Sequence, residues 1–323
     1  MKLSRSGPEV GPRRNGRALA AVTAVPLLAA VLLAGCSGSG SDDQTAGSPS
    51  ADSPPSVSTT GKNGPEAQVA TISGADHVHG LGVNPADGAI LIATHNGLWQ
   101  VPPGASEAER VGDSRDDLMG FSVVGADSFL SSGHPGPDSD LPPLLGLQRS
   151  ADGGSTWQSV SLLGEADLHV LRASGEQIYG VNSTTGSFLT SANGGESWET
   201  RQVPAPVIDL AIAPDDPLHL VASTDGGIYD SRDGGVNWHS LAADGPGLLT
   251  WPASDSLLMV DASGTVTASD DGGRGFSDAG SIGAAPEAFS SGDDRLLASV
   301  DGGRVLISDD QGQTWTTAVE PQG

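Results

Sequence analysis

The chain has 323 residues and sets 40 Asp and Glu against 15 Lys and Arg, a formal charge of −25. So acidic a surface repels phosphate backbones, which excludes nucleic acid as a partner and argues against peripheral binding to anionic lipid, while it favours cations. One cysteine excludes a disulfide within the chain, and no Walker loop, Rossmann fingerprint, zinc-ribbon cysteine pair or nucleophile elbow is present.

Residues 1–35 read as an export signal. Lys2, Arg5, Arg13, Arg14 and Arg17 make a basic start, and the apolar run Ala18 to Ala34 follows. That run is too short, and too soon followed by polar sequence, for a transmembrane helix. It ends in Leu33-Ala34-Gly35-Cys36, which resembles the lipobox of bacterial lipoproteins. The resemblance implies cleavage before Cys36, diacylglycerol on its thiol, and a chain held in the lipid bilayer at the outer face of the cytoplasmic membrane. Two acyl chains suffice for stable attachment, since each buried methylene contributes roughly 0.8 kcal/mol. The Arg13-Arg14 pair is a weak twin-arginine signal, so the export route stays open.

Residues 36–65 read as a tether of Ser, Gly, Asp, Pro and Thr with almost nothing to bury. Residues 66–323 are then one domain. Removing the five cations and single anion of the signal leaves ten Lys and Arg against 39 Asp and Glu, a formal charge near −29. A solvating shell accounts for most of that charge.

Within the domain, short apolar runs of strand length recur, among them Val207-Ile-Asp-Leu-Ala-Ile-Ala and Leu218-His-Leu-Val-Ala-Ser. His77 to Trp99 aligns without gaps with Val207 to Tyr229 at an offset of 130. Units start near residues 77, 117, 167, 207, 247 and 286. About forty residues and four strands per unit predict an all-β fold, a β-propeller of six four-stranded blades. Ala67 to Ser73 is either an extra strand that closes the ring or part of a seventh blade.

Five segments then line up: Ser150 to Trp157, Ser191 to Trp198, Ser231 to Trp238, Ser269 to Phe276 and Ser308 to Trp315, their aromatic ends 41, 40, 38 and 39 residues apart. Each places Asp152, Asn193, Asp233, Asp271 or Asp310 two residues after the serine, then a glycine-bearing turn. The carboxyl or amide oxygen can accept from turn amides, and glycine supplies positive φ. The pattern resembles the Asp box of BNR-repeat proteins, which include sialidases, sortilin-type receptors and photosystem-assembly propellers. That resemblance implies a propeller whose boxes are structural, away from any ligand.

Stacking the units brings out a polar arc. Where first strands begin, blade 1 offers His77 and His79, blade 2 Asp117 and Met119, blade 3 Asp167 and His169, and blade 4 Asp209. Side chains two apart on a strand share a face, so these groups ring one end of the central channel. His95 and His134 follow second strands at matching places, whereas His219 and His239 read as surface residues. A metal site from His77, His79, His95, Met119, His134 and His169 follows, with Asp117, Asp167 and Asp209 as outer or hard ligands. Thioether with imidazole suits copper, and carboxylate with imidazole suits zinc. Equally, these side chains and channel water satisfy one another without a metal.

Two other readings stand beside it. Glycoside hydrolysis, which the Asp-box resemblance invites, needs paired carboxylates, for which Glu165, Asp167 and Asp117 are candidates. Sialidase chemistry lacks its arginine cluster here, because Arg232 and Arg274 lie inside boxes and only Tyr179 and Tyr229 are tyrosines. The third reading is a binding or assembly module that holds a protein or glycan. There the insert between His134 and Gly146, ending in Leu141-Pro-Pro-Leu-Leu145, serves as a lid or contact, or simply packs over the ring. Binding without catalysis is the favoured class, with metal as one form of it.

Overall fold

The computed structural model describes residues 68–74, 77–241 and 245–322. Cys36, the signal and the tether lie outside the described residues. Among the described residues all regular structure is strand, in six sheets of four antiparallel strands in chain order, one sheet gaining a fifth strand. The innermost strands are Val78–Val83, Asp117–Gly125, Leu168–Ser174, Val207–Ala213, Gly247–Ala253 and Pro286–Gly292. Neighbouring inner strands touch, and that of blade 6 touches that of blade 1, so the ring is closed at six blades.

The hydrophobic core is divided among the blade interfaces. Leu91, Leu98 and Val111 of blade 1 meet Leu118, Phe121 and Phe129 of blade 2. Leu130 and Leu147 meet Leu168 and Ile178 across the next interface, and Tyr179 and Phe188 meet Leu210 and Leu220 across the third. Each sheet thus buries both faces against its neighbours, which is why apolar runs rather than strict alternation mark the strands.

The boxes lock the turns between third and fourth strands. In the first, the Asp152 carboxylate accepts from Ser150 Oγ at 2.8 Å, Thr156 N at 2.9 Å and Thr156 Oγ1 at 2.7 Å, while Gly154 N donates to Ser150 Oγ at 2.8 Å. The same net recurs around Asn193, Asp233, Asp271 and Asp310. The second glycine faces the preceding blade. A Cβ on Gly195, at φ 91°, would lie 2.1 Å from Leu147 Cδ2, and on Gly154 2.4 Å from Leu98 Cδ2. Each box therefore fixes a turn and docks it on the neighbouring blade.

Ala70–Ser73 runs parallel to the outermost strand of blade 6, Thr316–Gln322. Thr71 also bonds blade 1, its N–H donating to Ser106 O at 3.0 Å and its carbonyl accepting from Ala108 N at 2.7 Å. It is the extra closing strand, shared by the first and last blades, and no seventh blade forms among the described residues. Ala70 and Ile72 are buried in that interface, so burial holds the closure along with the backbone bonds.

Candidate metal centre

Five of the six inner strands open with a β-bulge, and this decides what enters the channel. Register shifts fall between Val78 and Gly80, Asp117 and Gly120, Leu168 and Val170, Val207 and Asp209, and Pro286 and Ala288. A bulged residue is unpaired and its side chain is re-aimed. The residues so released include His79, Met119, His169, Ile208 and Glu287, and all five line a central cavity of about 650 Å³.

His79 stands on the bulge of blade 1. His95 occupies the turn after the second strand, where Thr94 Oγ1 donates to Gly97 O at 2.9 Å and accepts from Asn96 N at 3.1 Å. Asp117 opens blade 2 and pairs across the strands with His134. Between them Gly133, at φ 148°, passes so close that a Cβ there would lie 1.9 Å from Asp117 O. Only glycine lets Asp117 and His134 share this mouth.

The side chains converge. His79 Nε2 lies 3.3 Å from His95 Nδ1 and 3.6 Å from Asp117 Oδ1, and His95 Nδ1 lies 2.9 Å from Asp117 Oδ2. One ligand atom from each of the three fits within 4.8 Å of the others. His77 packs beside them, its ring 5.8 Å from that of His79 and 5.5 Å from that of His95. Burial, with His95 next to it, pushes the His79 imidazole down to about 4 despite the opposing pull of Asp117, so its ring is neutral near pH 7. Asp117 Oδ1 is buried without a hydrogen-bond partner.

The chain of contacts continues into blade 3. His134 Nδ1 faces Asp117 Oδ2 at 3.8 Å and its Nε2 faces Asp167 Oδ2 at 3.6 Å, while His169 Nε2 is 2.7 Å from the same oxygen. Asp167 is buried; Ser183 Oγ donates to its Oδ2 at 2.8 Å and its Oδ1 has no partner. Burial pushes this carboxyl up, but His169, Ser183 and the nearby imidazoles outweigh burial and hold it below the usual carboxylate range. Met119 lines the same cavity as His79 and His169.

Asp209 stands apart from this group. In the first strand the match between blades 1 and 4 runs at an offset of 129, because Val78 pairs with Thr94 as Val207 pairs with Thr224. The following hairpin is one residue longer in blade 4, Ile212 pairing with Leu220 where Val83 pairs with Ile90. Ile208 therefore stands at the place of His79, and Asp209 at that of Gly80. Its carboxylate instead joins three blades, accepting from Arg172 Nη2 at 2.6 Å, Leu210 N at 2.7 Å and Leu249 N at 2.8 Å.

Other placements also depart from expectation. His219 is buried, with its ring 4.8 Å from that of Trp251, rather than on the surface; burial pushes its imidazole down, and Arg232 adds to the effect. His239 is exposed on a short outer strand. Glu165 is exposed in the turn before blade 3. The insert folds back against the ring, Gly136 N donating to Asp116 Oδ1 at 2.8 Å and Leu145 N to Gly133 O at 2.9 Å, with Leu145 buried and Leu141 exposed. Glu287 lines the cavity from blade 6 and was hidden by the bulge; Ser299 Oγ donates to it at 3.0 Å and Gly302 N at 2.7 Å.

Comparison with known proteins agrees with the architecture. The BNR/Asp-box repeat model matches residues 306–317, around the fifth box. No curated protein matches the chain in sequence. An ancestral GH74 enzyme superposes with a TM-score of 0.50 at 13% identity, over 78% of this chain and 39% of that one. The GH74 xyloglucanase from Xanthomonas campestris gives 0.52 at 15%, over 77% and 46%. YCF48 from Cyanidioschyzon merolae gives 0.46 at 17%, over 75% and 85%. This chain spans less than half the length of either GH74 structure, and at these identities the likeness is one of fold. With five boxes on six blades, the described residues form a six-bladed β-propeller with Asp-box turns.

Proposed function

We propose that the protein is a lipid-anchored, extracytoplasmic β-propeller that binds a transition-metal ion, zinc or copper, through His79, His95 and Asp117. The observation that carries this reading is the ligand triangle. Tetrahedral zinc with N and O ligands at 2.0–2.2 Å has edges of about 3.3–3.5 Å. The His79 Nε2–His95 Nδ1 edge is 3.3 Å, and the carboxylate meets the two rings through different oxygens, Oδ1 3.6 Å from His79 and Oδ2 2.9 Å from His95, with one ligand atom from each residue within 4.8 Å of the others. A neutral His79 and an unsatisfied Asp117 oxygen offer the lone pairs a cation needs. Three protein ligands leave a fourth position for His77, water or a bound molecule.

Hydrolysis through Glu165, Asp167 and Asp117 has less support. Asp167 is held ionised by His169 and Ser183, the wrong state for a general acid, which needs a raised pKa. Anchoring through Cys36 rests on the lipobox alone, and its test is separate: Cys36→Ser moves the protein from the membrane fraction to the soluble one.

The metal test uses the full chain carrying Cys36→Ser, which also removes the lone thiol as a competing ligand. Titration calorimetry with Zn(II), Cu(II) and Cu(I) is expected to give micromolar or tighter binding, weakened at least tenfold in His95→Ala. Binding no tighter than millimolar for all three ions ends the proposal.

A further inference from the structure

The reach of His134 between two carboxylates points to a second ion. Resting on the first site as proposed, we infer that the same mouth holds a paired centre, with a second divalent transition metal bound by Asp167, His169 and His134. Asp167 Oδ2 is 3.6 Å from His134 Nε2, about the length of a coordination edge, and 2.7 Å from His169 Nε2, a hydrogen bond that an ion would replace. The two rings stand further apart than the ligands of the first site and must turn toward each other to share an ion. Asp167 comes from a buried position on the strand entry of blade 3, and its Oδ1 lacks a partner. Both rings keep roughly two-fifths of their surface exposed, so each has room to turn toward an ion.

The tautomers fit this arrangement. With a proton on Nδ1, His134 presents that N–H to Asp117 Oδ2, 3.8 Å away, and leaves Nε2 free for the second ion. Metal-bound histidines commonly give their other nitrogen to a carboxylate, which fixes the tautomer and raises ligand basicity. Asp117 then ligates the first ion through Oδ1, while Oδ2, already 2.9 Å from His95 Nδ1, also faces His134 Nδ1 at 3.8 Å. His169 needs only to give up its hydrogen bond to Asp167 and offer Nε2 as a lone pair, with the ring proton on Nδ1. The two positions are therefore linked through Asp117, whose carboxylate faces histidines of both.

Zn(II) is the calorimetric probe, titrated into the full chain carrying Cys36→Ser, and Cu(II) the spectroscopic one. Two ions per chain are expected, with the second weaker. His169→Gln is expected to bind one ion, with the tight affinity kept within about threefold; its exposed ring makes it the safer variant, and Asp167→Asn is the companion. At two equivalents of Cu(II) the paramagnetic signal is expected to broaden through coupling, and at one equivalent to stay sharp. A single ion per chain that His95→Ala weakens and His169→Gln leaves unchanged overturns the second position while sparing the first. A single ion lost in His169→Gln but kept in His95→Ala overturns both assignments. No binding at all removes the first site and the second with it.

Discussion

Arg172→Leu is the substitution whose effect the structure best defines. Arg172 is the cation facing Asp209, with Nη2 2.6 Å from Oδ1, and it also donates through Nε to Leu210 O and through Nη1 to Leu171 O, both at 3.0 Å. Asp209 is 2% exposed, so removing the guanidinium leaves a buried charge held by two backbone amides. Breaking a buried pair from one side costs about 3–5 kcal/mol; the partial exposure of Arg172 favours the lower end, about 3 kcal/mol. In a domain of this size each kcal/mol moves Tm by about 2–4 °C, so the expected fall is about 6–12 °C. Calorimetric melts of wild type, Arg172→Leu and Arg172→Leu with Asp209→Asn measure it. The double variant should recover at least half of the loss, because the stranded charge has gone. Burial raises the Asp209 carboxyl, against the pull of Arg172, so without Arg172 it takes a proton more readily. A group raised in the folded state penalises folding when ionised and is relieved as pH falls, so the gap to wild type narrows from pH 7 to pH 5. A fall under 2 °C, a double variant no better than the single, or a gap that widens on acidification would refute the clasp.

Three further outcomes follow from the boxes. Gly195→Ala combines φ 91° with a Cβ 2.1 Å from buried Leu147, so urea unfolding should show a loss of about 2–4 kcal/mol. Gly186→Ala, at φ 69° with nothing within 4 Å, should lose only about 1 kcal/mol, and equal losses would sink the docking role. Gln311 sits at φ 59° where the other boxes have glycine; Gln311→Gly should gain about 0.5–1 kcal/mol once the chain entropy of glycine is subtracted. Backbone and side-chain bonds from Asn237 hold Asp233 down to about 2, and Asp152, Asp271 and Asp310 are lowered by similar bonds. Groups lowered in this way stabilise above the unfolded carboxylate pKa and lose that contribution as pH falls toward 2. An acid titration should therefore show Asp233→Asn less sensitive than wild type between pH 4 and 2, and equal sensitivity would count against the boxes as the acid-labile element.

The boxes were legible because they are local. Ser150, Asp152, Gly154 and Thr156 satisfy one another within seven residues, so the same solution must recur in the same spelling. Their spacing then counted the blades from the second onward. The mouth of the channel obeys non-local register instead, and there the sequence carried less. A hairpin one residue longer in blade 4 matched Asp209 to His79 in a gapless alignment, although by strand register Asp209 occupies the place of Gly80. Bulges break the two-residue alternation at the first strand positions, which hid Glu287 and put the polar arc on blades 1 to 3 with blade 6. His219 looked exposed because nothing in its own strand announces Trp251, a residue of the next blade.

Charge explains why histidines and carboxylates alternate at that mouth. Among the described residues, the ionisable partners of Asp117 and Asp167 are all imidazoles, while Arg172, the guanidinium in the cavity lining, is committed to Asp209. Two buried or half-buried carboxylates, each with an unpartnered oxygen, need positive charge close by. Protonating the imidazoles is one supply, but His79 is driven the other way by burial and by its neighbouring histidines. A metal cation is the other supply, and it uses the neutral rings as ligands instead of competing with them. The two sources differ in sign against pH: proton charge at the mouth declines as pH rises, whereas metal affinity climbs as the rings lose protons. Zn(II) affinity that increases from pH 4 to 6, as His79 gives up its proton, with protons released on binding in calorimetry across buffers of different ionisation enthalpy, is the expected result. Affinity that is flat or falls over that range would leave the carboxylates to the imidazoles alone.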